Sequence, residues 1–160
     1  MDPDFLSYLI DRYGPALTLY ARQWCNAPDD VVQESFVKLV RQSPQPVTPI
    51  PWLYRVVRNA SISQHRAESR RQNHEAKAAH RAGAWFLPPD DPAGLDALRA
   101  TQALCELPIE QREIIVAHLW GGLTFETIAD IVGGSTATVW RRYSAGLKDL
   151  REILQVAKED

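Results

Sequence analysis

The sequence predicts an all-α fold of two small helical domains joined by a linker. Three observations carry this. No segment sustains the two-residue alternation, enriched in β-branched residues, that a half-buried strand needs. Residues 82–94 (Ala-Gly-Ala-Trp-Phe-Leu-Pro-Pro-Asp-Asp-Pro-Ala-Gly) shift to Gly, Pro and Asp, which divides the chain into 1–81, a linker at 82–94, and 95–160. A length of 160 residues with 45% hydrophobic content suits two small helical cores and argues against global disorder.

The elements follow in order. Residues 4–24 read as one helix, or as a pair broken at Gly14-Pro15. Residues 29–42 read as a second helix, with Asp29 or Asp30 near its N-terminus, where negative charge suits the helix dipole. Ser43 to Pro51 holds four prolines and is expected to be non-helical. A long basic helix is expected from Trp52 towards His80. The Trp85-Phe86-Leu87 cluster suggests that the linker docks on something. Helices then follow at about 95–106, 109–120, 124–132 and 136–156.

Several functional classes are excluded. The acidic start Met1-Asp2-Pro3-Asp4 is unlike a signal peptide, and no apolar run reaches membrane-spanning length, so no membrane insertion and a cytoplasmic location are expected. Cys25 and Cys105 match no zinc spacing and read as reduced thiols. His65, His74, His80 and His118 form no pattern of a catalytic triad or metal site, and there is no Gly-rich phosphate loop. The expectation is no enzyme, no metal and no small cofactor.

Charge distribution says more than the net charge of −2. Residues 52–81 carry seven cations against two anions, a local +5, and residues 136–151 carry four against one, a local +3. The remainder is acidic. Two basic segments on an acidic chain suggest two contacts with a polyanion.

Phe125 to Val139 has the spacing of a helix-turn-helix. Ala129 is the small residue where two helices cross, and Gly133, four residues on, tolerates positive φ at the turn. Val139, six further on, packs the second helix back against the first, and Ser135 or Thr136 can cap that helix. At 100° per residue, Val139, Tyr143, Gly146, Leu150 and Leu154 share a stripe that should face the core. Ala137, Arg141, Ser144 and Lys148 lie opposite, flanked by Thr138 and Trp140, with Thr136 at the start. This outer face has the size and charge to enter a major groove.

Upstream, Asp30 to Leu39 resembles the acidic D-x-V-Q-E-x-F-x-x-L signature of RNA polymerase sigma factors. Pro51-Trp52-Leu53-Tyr54-Arg55-Val56-Val57-Arg58-Asn59, followed by His65-Arg66 and Arg70-Arg71, resembles the same family's WL-x-R-x-x-x-N segment and basic tail. Leu107-Pro108 with Gln111-Arg112-Glu113, then Gly122-Leu123-Thr124 and the helix-turn-helix, resembles its C-terminal domain. The length and single linker are similar to the extracytoplasmic-function (ECF) group. Two departures stand out: Ser63-Gln64-His65 replaces the Asp and aromatic or His often found before Arg66, and Trp140 replaces a Lys of the recognition helix.

The resemblance implies roles that suit the residue chemistry. Asp30, Gln33, Glu34, Lys38 and Arg41 would hold the β′ clamp helices of the core polymerase, an acidic and amide-bearing face for a basic partner. Trp52, Arg55, Arg58, Asn59, Ile62, His65, Arg66, Arg70 and Arg71 would meet the opened minus-ten element: cations track the backbone, while Trp52 and Tyr54 stack on or wall in an unpaired base. Packing of Trp52 in the core is the competing reading. The loop 42–51 corresponds to the segment that captures a flipped base. Thr136, Ala137, Thr138, Trp140, Arg141, Ser144 and Lys148 would read the minus-thirty-five duplex, with Trp140 either touching a thymine methyl or packing under the preceding helix. The partners implied are core polymerase, promoter DNA and, as is common in the family, an anti-sigma factor. Two alternatives compete with this reading: a helix-turn-helix regulator that never joins polymerase, and a sigma-like chain used only for protein interaction.

Overall fold

The structure, a computed structural model, describes residues 1–73 and 92–159. Among these it holds seven helices: α1 (Pro3–Arg22), α2 (Pro28–Arg41), α3 (Pro49–Gln72), α4 (Pro92–Glu106), α5 (Ile109–Leu119), α6 (Phe125–Val132) and α7 (Thr136–Glu159). Helices α1, α2 and α3 pack pairwise into one unit, and α4 to α7 form a second around α5 and α7. The expected docking of Trp85-Phe86-Leu87, the helix course from 74 to 80, His74 and His80 all lie outside the described residues.

Local chemistry sets the N-terminal helices. Asp2 caps α1 by accepting the Asp4 amide at 3.2 Å, and Pro3 occupies the first turn, where no amide is needed. The break expected at Gly14-Pro15 does not occur. Proline inside a helix forfeits one backbone bond, but Leu9 before it and Leu17 after it are both buried in the same core, and their packing carries the helix through. In α2, Asp29 and Asp30 sit in the first turn and Lys38 and Arg41 in the last, each complementing the dipole. Its buried face includes Val31, Val32, Ser35, Phe36 and Leu39, at helical spacing.

The proline-rich stretch leaves the helical state for a shorter distance than expected. Helix α3 starts at Pro49, because Pro49 and Pro51 fall in a first turn whose amides have no intrahelical partner. The amide of Trp52 then opens the ladder on the Thr48 carbonyl at 3.3 Å. The preceding loop is tied down by Gln45, whose Nε2 donates to the carbonyls of Leu39 (3.2 Å) and Gln42 (3.1 Å) at the end of α2.

In the C-terminal unit, Ile114, Ile115, Val116 and Ala117 are all buried, so α5 is covered on every side. Helices α1, α6 and α7 pack on it. An aromatic cluster joins three helices: His118 stacks on Phe125 at 4.3 Å between ring centroids, and Tyr143 lies 4.9 Å from His118 and 5.0 Å from Phe125. The two units meet through α1 against α5 and α3 against α6, and their buried residues form one continuous cluster.

Candidate nucleic-acid interface

The helix-turn-helix is built by capping. Thr124 Oγ1 accepts the Thr127 amide at 3.2 Å and starts α6. Gly133 ends it at φ +78°, a conformation that strains any residue with a Cβ. Ser135 Oγ then accepts the Thr138 amide at 3.1 Å and starts α7. Ala129 and Val139 are buried at the crossing, as their spacing requires. Tyr143, Leu150 and Leu154 are half-buried and Gly146 buried along the inward stripe of α7.

The opposite face of α7 is open. Thr136, Ala137, Trp140, Arg141 and Lys148 are exposed, and Thr138 and Ser144 are half-buried. Thr138 is engaged locally: its Oγ1 lies 2.9 Å from Ser135 Oγ and accepts from Arg141 Nη2 at 3.3 Å. Trp140 is 56% exposed and does not pack under α6, which leaves its ring available for an apolar contact.

On α2, Asp30, Gln33, Glu34, Lys38 and Arg41 are all exposed while the other side fills the core. Beside them runs an apolar groove between α1 and α2, lined by Leu6, Ile10, Val37 and Val40 among others. Ser35-Phe36-Val37-Lys38 has the Ser-x-x-Lys spacing of some nucleophilic enzymes, but Ser35 is buried and donates to the Val31 carbonyl at 2.7 Å while Lys38 points to solvent. That serine serves the helix.

On α3, Arg55, Asn59, His65, Arg66, Arg70 and Arg71 are exposed, and Ser63, His65, Arg66, Ser69 and Arg70 line a shallow basic groove. Trp52 and Ile62 are half-buried, and Trp52 packs against the core, which favours its structural reading. Tyr54 is fully buried and cannot stack on a base as expected. It meets Tyr20 edge-on at 5.0 Å, and burial pushes its hydroxyl well above the ordinary tyrosine value.

Arg58 is the main correction. Expected on the solvent face of the basic helix, it turns into the junction between the units. Its Nε and Nη2 donate to the Glu113 carboxylate at 2.8 and 3.2 Å. The Tyr20 hydroxyl donates to the same carboxylate at 3.2 Å. The two side chains of the pair are 21% and 6% exposed. Hydrogen bonding to Glu113 raises the Arg58 pKa, so the guanidinium stays charged. Burial, then the neighbouring Glu113 charge, pushes the Tyr20 hydroxyl well above its usual value. Arg112 Nη2 reaches the Gln23 carbonyl at 3.4 Å nearby. Glu113 escaped the sequence reading as a site residue, although one signal was there: a carboxylate directly before the apolar run Ile114-Ile115-Val116-Ala117 needs a buried partner.

Comparison with known proteins decides what this arrangement belongs to. Residues 9–71 match the Sigma-70 region 2 family, and residues 97–150 match Sigma-70, region 4. Over 151 residues the chain is 31% identical to the ECF RNA polymerase sigma factor SigL of Mycobacterium tuberculosis, covering 90% of this chain and 81% of that one. The chain belongs to the ECF sigma factor family. This sigma factor is also 29% identical to the "Probable RNA polymerase sigma factor RfaY" of Xanthomonas campestris, a longer protein of which it spans 34%. Among solved structures, the sigma factor RpoE from Bartonella quintana, crystallised in complex with the anti-sigma factor NepR, matches with a TM-score of 0.77 at 26% identity, over 97% of this chain and 99% of that one. Among the described residues no helix is long and apolar enough to cross a membrane.

Proposed function

We propose that this sigma factor joins core RNA polymerase in the cytoplasm and directs promoter recognition, acting as a non-enzymatic initiation factor. Residues 1–81 form the unit that engages polymerase and the minus-ten element, residues 95–160 the unit that engages the minus-thirty-five element, and 82–94 the span between them. Asp30, Gln33, Glu34, Lys38 and Arg41 on α2 hold the β′ clamp helices. Residues 42–51, a loop as far as Thr48 and then the first turn of α3, take the opened strand with Arg55, Arg58, Asn59, Ile62, His65, Arg66, Arg70 and Arg71, while Trp52 supports this surface from the core and the exposed cations follow the phosphates. Arg141 and Lys148 anchor α7 in a major groove, where Thr136, Ala137, Thr138, Trp140 and Ser144 lie at or beside base edges.

The observation that carries this reading is α2. Its apolar face is consumed in the core, yet the opposite face presents five polar or charged side chains that the rest of the described chain leaves exposed. That acidic and amide-bearing face is chemically suited to a basic partner helix. A pull-down with core polymerase and run-off transcription tests the proposal. Duplex binding without core binding or initiation would leave the alternative, a helix-turn-helix regulator. The likeness to a sigma factor crystallised with an anti-sigma factor supports a protein antagonist for this chain as well.

A further inference from the structure

The Arg58–Glu113 pair joins residues 55 positions apart across the junction of the two units, with Tyr20 of α1 donating to the same carboxylate. Arg58 belongs to the basic face proposed to track single-stranded DNA. With Nε and Nη2 both on the Glu113 carboxylate, the side-on edge of the Arg58 guanidinium is taken, and a phosphate can use that edge only by displacing Glu113, since the two anions suit the same fork geometry. Glu113 therefore occupies the place a backbone phosphate would take. The junction continues on either side of this pair. The ring of Tyr54 lies against Gly121, where any Cβ would collide with the Tyr54 hydroxyl, and Arg55 Nη2 reaches the Asp130 carbonyl of α6 at 3.5 Å. The Tyr54 hydroxyl is buried there without a hydrogen-bond partner, a cost that the closed arrangement carries and separation would relieve.

The geometry points to an intramolecular latch: Glu113 of the C-terminal unit closes on Arg58 and Tyr20 of the N-terminal unit and withholds Arg58 from the minus-ten strand until the two units separate. The inference rests on the strand-binding role proposed for α3. It implies that the free factor is compact and binds single strands weakly, since only the open fraction binds. It also makes the DNA phosphate backbone a competitor for the latch.

The test uses the free, intact chain. Small-angle X-ray scattering gives its radius of gyration, and fluorescence anisotropy gives its affinity for a labelled, mixed-sequence single-stranded oligonucleotide. Glu113→Gln keeps the shape and removes the charge; it is expected to enlarge the radius of gyration and tighten oligonucleotide binding by roughly tenfold. Tyr20→Phe removes the second hydrogen bond from the other unit and is expected to shift both readings the same way by less. Arg58→Glu should expand the chain, and adding Glu113→Arg should make it compact again, a rescue that simple loss of folding would not give. A cooperative melt confirms that each variant folds. Wild-type compactness in Glu113→Gln, expansion without tighter strand binding, or no re-compaction in the charge swap would each overturn the latch. Failure of the wild type to bind core polymerase or direct initiation would instead sink the functional proposal, and the scattering measurement would stand apart from it.

Discussion

The imidazole of His118 stacks on the ring of Phe125 at 4.3 Å, and its Nδ1 lies 2.7 Å from the Leu123 carbonyl. This places one histidine of α5 as the seat of the helix-turn-helix, because Phe125 opens α6 and Tyr143 of α7 closes on the same ring. His118→Ala should remove a stack, an edge-on ring pair and a hydrogen bond together, lowering stability by about 2–3 kcal/mol. Thermal or urea unfolding of the full chain measures it. A change below about 0.5 kcal/mol would show that the cluster does not seat the motif.

Ser135 satisfies the Thr138 amide at the start of α7. Ser135→Ala should cost about 1 kcal/mol of stability, and Ser135→Asp should restore it through both capping and the helix dipole. Urea titration of the three proteins decides it, and equal midpoints for all three would contradict the cap.

Arg141 and Lys148 are the exposed cations of the outward face of α7. Replacing both with Ala should weaken binding to minus-thirty-five duplex and reduce the slope of log affinity against log salt by about 0.9 for each phosphate no longer neutralised. An unchanged slope would place the DNA on another face. Trp140→Ala, by contrast, should alter sequence preference while leaving the slope as it is, since the ring carries no charge.

Glu34 stands in the middle of the exposed face of α2. Glu34→Lys should weaken binding to core polymerase at least about tenfold by reversing charge against a basic partner. Duplex binding should stay at the wild-type level. Surface plasmon resonance with immobilised core is the measurement, and equal affinity for core would remove α2 from the interface.

Tyr20 and Tyr54 are buried, and both hydroxyls are pushed well above the ordinary tyrosine value, chiefly by desolvation. The folded chain therefore keeps protons that the unfolded chain releases above about pH 10. Stability contributed by these groups is complete below that pH and is lost as pH rises towards their folded-state values. Tyr54→Phe removes a hydroxyl with no partner, so it should be neutral or stabilising at pH 7 and should make the alkaline loss shallower. Unfolding midpoints at pH 7 and above pH 10 check both signs.

Much was legible in the sequence itself. Asp30, Gln33, Glu34, Lys38 and Arg41 were legible as the outward side of α2, because they share one face of a helix. Gly133, Ser135, Ala129 and Val139 specified the turn, the cap and the crossing of the helix-turn-helix, because each requirement is local and only a few residue types meet it. Tertiary structure alone decided the rest. Pro15 stays helical because Leu9 and Leu17 share a core, Tyr54 is sealed at a junction, Trp140 stays in solvent, and Arg58 leaves the basic face for Glu113. Periodicity within a helix reports that a face is buried but not what buries it. A carboxylate 55 residues away captures an arginine only after two helical units have folded and met.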